Sequence, residues 1–149
     1  MKQKSGEDKR AEVRFVAEVV KIDGETATLC VYPQYCGGLK DIAGYSHLIV
    51  LYWAHLRDNE DERRTLLVFP RRHARKVETG VFACRSPSRP NPICLCVVKL
   101  LKVKGCTLKV KGLDAELGSP VLDIKPYHPY SDSIPNAKFP EWTLIRKDR

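Results

Sequence analysis

The chain reads as an all-β domain of many short strands, closed as a barrel or stacked as a sandwich. Three observations predict this. Apolar and polar residues alternate with a period of two through most of the apolar segments. Glycines and prolines (9 and 10 of them) punctuate those segments at short intervals. No long stretch carries the 3.6-residue period of an amphipathic helix. A length of 149 residues suits one domain, and an apolar share of 43% supplies a core, which excludes global disorder.

Taken in order, residues 1–10 (MKQKSGEDKR) form a flexible charged lead-in, and a single domain occupies 11–149. The lead-in has no apolar core and is not a secretory signal. The longest apolar run, 48–54, is too short to span a bilayer. A cytoplasmic protein without membrane contact is expected. Val13, Phe15 and Ala17 alternate with Arg14, Val16 and Glu18 as a first strand. A turn around Asp23 and Gly24 leads to a second strand over 26–32. Residues 33–44 hold Gly37-Gly38 and one short helical turn. A long apolar strand covers 47–53. The charged segment 57–64 reads as a loop, and 65–69 as a short strand that Pro70 ends. Strands at 81–84 and 93–104 flank a proline-rich loop, with a bulge at Leu100-Leu101 where alternation breaks. Gly105 turns the chain into 107–111. Short strands follow at 120–124 and 142–145.

Six cysteines (30, 36, 84, 94, 96, 106) form no C-x-x-C pair. Cys94-x-Cys96 on a strand faces one way, which leaves a metal site conceivable. The plainer reading is unpaired thiols packing as small hydrophobes, with no metal. Lys and Arg exceed Asp and Glu by 26 to 18, a net charge of +8. The excess gathers at Arg71, Arg72, Arg75 and Lys76, and again at Lys99, Lys102, Lys104, Lys109 and Lys111. Such clusters attract polyanions. The alternative is a solvated face with lysines guarding sheet edges. For the 71–76 block, RNA contact is the reading preferred.

The segment GVFACRSPSRPNPICLC, residues 80–96, carries the most information. Pro87, Pro90 and Pro92 lack N–H groups and force their predecessors extended. The loop is therefore stiff, and it displays Arg85, Arg89 and Asn91 with little entropy left to lose on binding. A second constellation is Asp123-Ile-Lys-Pro-Tyr127. In an extended chain Asp123, Lys125 and Tyr127 share one side, a carboxylate, an ammonium and a phenol together, while Ile124 and Pro126 take the core side. This is either a site or an ion pair that fixes a loop. His47 reads as a packed strand residue, and His55, at a strand end, as ligand-facing. Tyr32, Tyr35, Tyr52 and Trp53 stack on bases or fill the core. There is no G-x-G-x-x-G between strand and helix, no P-loop and no G-x-S-x-G, so a Rossmann cofactor domain is not expected.

Residues 80–96, with GSPVLDIKPY at 118–127 and GYSHLIVLYW at 44–53, resemble the β-barrel tRNA methyltransferase family that modifies N6-threonylcarbamoyladenosine (TrmO, or TsaA-like). The order and spacing agree over roughly 12–130. The resemblance implies an antiparallel barrel, S-adenosylmethionine as methyl donor, tRNA as acceptor, and a homodimer with the cofactor near its interface. It implies cofactor contacts at His55, Leu56, Arg85 and Leu95, and at the turn Asp114, Ala115, Glu116 and Leu117. Asp123, Lys125 and Tyr127 become catalytic candidates, with Asp123 as base. Arg89 and Asn91 join the 71–76 cations as candidate substrate or RNA contacts. The chain departs from the pattern at Cys84, Cys94, Cys96 and Leu117, where the family has Thr or Ser, Gly, Ser and Asp. A positive φ at Cys94 would be strained. A Pro-Arg-Gln cofactor loop is not visible between Val20 and Tyr32. These departures leave a rival: a barrel that binds RNA or an adenosyl ligand without methyl transfer.

Overall fold

A computed structural model describes residues 9–73 and 75–144. Residues 1–8 of the lead-in and the end of the expected 142–145 strand lie outside them. Six strands close a barrel in the order β1 (Ala17–Asp23), β2 (Thr26–Val31), β7 (Thr107–Lys111), β6 (Ile93–Lys104), β3 (His47–Trp53) and β8 (Pro120–Pro126), all pairs antiparallel. β4 (Leu67–Val68) and β5 (Thr79–Gly80) make a separate two-stranded hairpin. Two short helices, α1 (Glu60–Arg64) and α2 (Pro129–Asp132), lie outside the barrel. Among the described residues no helix is long and apolar enough to cross a membrane.

Every second strand residue turns inward, as a pleated strand requires. Val19, Leu29, Leu48, Val50, Val98, Leu108, Val110 and Val121 are sealed from solvent and form one cluster. Three register irregularities shape this ring, one of them in β1 between Val19 and Lys21; the other two are bulges in β6 and β8. The β6 bulge falls between Leu100 and Lys102, as the double leucine suggests. The other matters more for function: Tyr52 faces Val121 while Leu51 faces Asp123, so Leu122 is an extra residue in β8. Val121 and Ile124 therefore both reach the core, and Asp123 and Lys125 are turned to the outer face.

Several expectations are corrected. The first strand begins at Ala17, not Val13: Val13 and Phe15 find no strand partner and stay exposed, Phe15 leaning on Trp53 at 6.0 Å. The 65–69 strand shrinks to Leu67–Val68, and 81–84 is a 3₁₀ turn, Val81–Ala83. The 142–145 strand is replaced by a 3₁₀ turn, Glu141–Thr143. The 57–64 loop holds α1, because Asn59 accepts a hydrogen bond from the Glu62 N–H at 2.9 Å and caps the helix start. Cys36 and Cys106 are not free thiols but a disulfide, joining the 3₁₀ segment Pro33–Leu39 to the β6–β7 turn. The other four cysteines are free, and Cys94 sits in extended backbone with no positive φ. No metal-holding cluster occurs among the described residues.

Candidate active site

Where β7 ends, the barrel wall opens. β6 pairs with β3 from Ile93 to Lys99, but β7 meets β6 only from Lys99 onward. Over residues 93–98 the other edge of β6 has no strand partner. Across from that edge runs the turn 112–119, and a cavity of about 740 Å³ lies between them. That volume is in the range of about 300–1,000 Å³ typical of small-molecule sites.

The turn is bracketed by Gly112 (φ 94°) and Gly118 (φ 83°), values that strain any residue with a Cβ. The Gly112 N–H donates to the Glu25 carbonyl at 3.0 Å, and the Gly118 N–H to the Val19 carbonyl at 2.8 Å. Within the turn, the Glu116 N–H donates to Ser119 Oγ at 3.0 Å. The barrel floor holds it too. The Tyr52 hydroxyl donates to the Asp114 carbonyl, and the Asp114 N–H donates to Cys96 Sγ at 3.4 Å. Burial, with the Cys96 thiol alongside, pushes the Tyr52 phenol far above the usual tyrosine range, so it remains a donor. Burial likewise raises Cys94, which stays a thiol.

The proline-rich loop forms another wall, and its rigidity has a source that sequence reasoning missed. Ser88 is buried and donates from Oγ to Glu62 while accepting from Arg57 at 2.9 Å. Arg57 pairs with Glu62 at 3.1 Å. Arg63 pairs with Asp58 at 2.6 Å, donates to the Pro90 carbonyl at 3.2 Å and lies 5.4 Å from the Trp53 ring centre. Thus α1 and its approach buttress the loop. The one sequence signal was Asn59-x-x-Glu62, a capping pattern. Arg89 turns back onto the carbonyls of Val81 and Cys84. It satisfies acceptors that a ladder-free loop leaves unpaired.

This buttress titrates. Hydrogen bonds from Arg63 and Trp53 hold the Asp58 carboxyl below its usual range, and those from Arg57 and Ser88 do so for Glu62. A carboxylate depressed by folding contributes stability that is complete above its unfolded pKa of about 4 and is lost as pH falls through the lower folded value. Thermal melts are therefore expected to be flat above about pH 5 and to drop in Tm below about pH 4. Glu62→Gln should make that acid slope shallower; an unchanged slope would remove Glu62 from the account.

Of the residues singled out in the sequence, His55, Leu56, Arg85 and Leu95 line the cavity, with Asp114, Ala115 and Glu116 opposite. Leu117 does not line it; its side chain is exposed. Arg72 and Arg89 line it, whereas Arg71, Arg75 and Lys76 are exposed outside it. Asn91 is exposed, its carbonyl taken by the Ile93 N–H at 2.7 Å. Asp123, Lys125 and Tyr127 are not among the lining residues. Asp123 and Lys125 form a half-exposed ion pair at 2.8 Å on the outer face, and Tyr127 packs on His47 with ring centres 6.4 Å apart. His47 itself is bonded to Ser46 Oγ at 2.8 Å.

A closed antiparallel barrel with a cationic cavity built from a strand edge, a glycine-bracketed turn and an arginine loop defines a non-Rossmann ligand-binding barrel. The chain belongs to the family described as the tRNA-methyltransferase O N-terminal domain, whose model matches residues 17–133. A probable S-adenosyl-L-methionine-binding protein of Archaeoglobus fulgidus is 54% identical over 84% of this chain and 31% of its own length. One of Methanothermobacter thermautotrophicus is 43% identical over 88% of this chain and 85% of its own. The tRNA (adenine(37)-N6)-methyltransferase of Escherichia coli is 36% identical over 87% of this chain and 56% of its own. The crystal structure of TrmO from Pseudomonas aeruginosa superposes with a TM-score of 0.66 at 25% identity, covering 87% of this chain and 62% of that one. The match thus spans 31% to 85% of the length of these relatives, and less than two thirds of all but one of them.

Proposed function

We propose that the chain is an S-adenosylmethionine-dependent methyltransferase acting on N6 of threonylcarbamoyladenosine at position 37 of tRNA, and that it works in the cytoplasm. One observation carries this reading. Seven of the eight residues that the resemblance assigns to the cofactor, all but Leu117, meet at one cavity although they come from four separate segments. The donor set suits the cofactor. Arg85 offers a fork for a carboxylate, Leu56 and Leu95 offer apolar surface, and the unpaired edge of β6 offers main-chain hydrogen bonds to a purine ring. Glu116 and Asp114 offer negative charge to a sulfonium or ammonium.

When bound, S-adenosylmethionine supplies a methyl group on a positively charged sulfur. The chain's own part is to hold and align. Tyr52 and Cys96 fix the Asp114 turn, and α1 fixes the arginine loop, so alignment is set before substrate arrives. The acceptor N6 is urea-like and needs a base; Asp123 is the carboxylate we assign to take its proton. Lys125 holds that carboxylate at 2.8 Å, and Asp123 in turn favours the charged ammonium.

Asp123 reaches such an acceptor from the outer face, and this bears on assembly. Ile93, Leu95 and Val97, which also border the cavity, form a partly exposed apolar row on β6, beside Ile49 and Leu51 of β3, with Asp123 and Lys125 next to them on β8. We take this row as the face on which two copies meet, bringing Asp123, Lys125 and Tyr127 of one copy toward the cavity of the other. The position of Asp123 outside the cavity of its own chain is also what favours the rival reading, a binding barrel without transfer.

The test is methyl transfer from labelled S-adenosylmethionine to two tRNA pools, with and without the threonylcarbamoyl group, using protein whose mass is read by sedimentation. Label at N6 in the modified pool only, from a dimer, is expected. No label in either pool, from protein that binds the cofactor, overturns transfer in favour of the binding barrel.

A further inference from the structure

Four guanidinium groups line the cavity, those of Arg57, Arg72, Arg85 and Arg89, and they are of two kinds. Arg57 is committed to Glu62 and Ser88, and Arg89 to the carbonyls of Val81 and Cys84. Both belong to the scaffold of the proline-rich loop. The guanidinium groups of Arg72 and Arg85 make no ion pair or hydrogen bond with any described residue. One unpaired guanidinium suffices for the carboxylate of the methyl donor, and Arg85 is the one assigned to it. Arg72 is left over.

The charge of the site says what it is for. Against four cations stand Glu62 on Arg57 and the lining carboxylates Asp114 and Glu116. One positive charge remains uncompensated. The donor adds another, because its sulfonium and ammonium outnumber its carboxylate. A loaded cavity is thus more cationic than an empty one, and an anionic second ligand relieves it.

Arg72 is also held for the purpose. It sits on the connection of the β4–β5 hairpin, whose two strands pair over only two residues each. So short a ladder fixes its far end poorly. The next residue, His73, supplies the missing anchor. Its Nδ1–H donates to the Thr143 carbonyl at 2.7 Å, and its ring meets Trp142 edge-on with centres 5.4 Å apart. The 3₁₀ turn Glu141–Thr143 thereby fastens the hairpin beside the cavity.

We infer that Arg72 is a specificity-determining residue that takes an anionic oxygen group of the acceptor, and that the His73–Trp142 contact is its positioning device. The inference rests on the methyl-transfer reading of the cavity. Two sources share the chemistry: the carboxylate of the threonylcarbamoyl group and a tRNA phosphate.

The experiment compares Arg72→Ala, Arg72→Lys, Trp142→Ala and Trp142→Phe with the unaltered protein. Cofactor affinity is read by calorimetry, and affinity for modified and unmodified tRNA by filter binding across a salt series. Turnover on modified tRNA is read alongside. Arg72→Ala is expected to weaken tRNA binding about tenfold with cofactor affinity unchanged, in line with loss of one charge-assisted contact. Arg72→Lys should recover part of it. Trp142→Ala should raise KM for tRNA more than it lowers kcat, and Trp142→Phe should restore it. A loss confined to modified tRNA, at constant salt slope, identifies the carboxylate. An equal loss on both pools, with the slope reduced by about one, identifies a phosphate. Unchanged tRNA affinity in Arg72→Ala overturns the inference, as does an equal loss of cofactor affinity. If the unaltered protein binds tRNA but transfers no methyl group, the methyl-transfer reading fails while the Arg72 binding result still stands or falls by itself. If it binds neither pool, both fail.

Discussion

Arg85→Ala is expected to weaken S-adenosylmethionine binding by about 10- to 100-fold while leaving the unfolding midpoint nearly unchanged. A hydrogen bond to a charged group contributes about 1.5–3 kcal/mol, which converts to that range. The guanidinium of Arg85 faces the cavity and is unpaired among the described residues, so its removal strands no internal partner and opens no core. Its chain neighbour in the same loop, Arg89, is the opposite case, being spent on two backbone carbonyls. Arg85→Lys should fall between, since an ammonium keeps the charge but loses the planar fork. Calorimetry decides the matter. An unaltered Kd in Arg85→Ala would show that the cofactor's carboxylate goes elsewhere.

Leu48→Ala is expected to destabilise the fold by about 3 kcal/mol. Leu48 is sealed from solvent near the start of β3. Its backbone neighbours are Val98 on β6 and Pro126 on β8, so it sits in a strand flanked on both sides. A closed ring cannot slide inward to fill the space, and the cavity term adds to the lost burial. Urea unfolding should show a lower midpoint at an unchanged slope. A loss below about 1 kcal/mol would mean that the wall collapses more readily than a hydrogen-bonded ring should.

Much of this barrel is legible in the order of residues. β3, β6 and β7 fall on 47–53, 93–104 and 107–111 because their side chains alternate between a dry interior and an outer face. Even the 100–102 bulge is announced, by two adjacent leucines. What is not legible follows from causes that lie far along the chain. Val13 and Phe15 alternate as a strand does but have no neighbour to pair with. α1 is polar on every side, so no periodicity reveals it. Cys36 finds Cys106 across 70 residues, a pairing that no spacing rule identifies. At the candidate site, that Asp123 and Lys125 lie together was readable. That they face away from the core was readable too, from Ile124 and Pro126 on the other side; the extra residue Leu122 that sets this register was not. The stiff loop was readable from its prolines. That Arg89 curls back while Arg85 stays available was not, because the carbonyls that capture Arg89 belong to a turn whose shape the prolines only partly set.

The unpartnered edge of β6 has a consequence for how this surface tolerates change over time. A ligand docked along a strand edge meets peptide groups, which are the same whatever residue carries them. Cys94 and Cys96 on this strand turn their sulfur inward against the core. Inheritance can therefore rewrite the letters of this strand, so long as each inward side chain stays small, without rewriting what the edge presents.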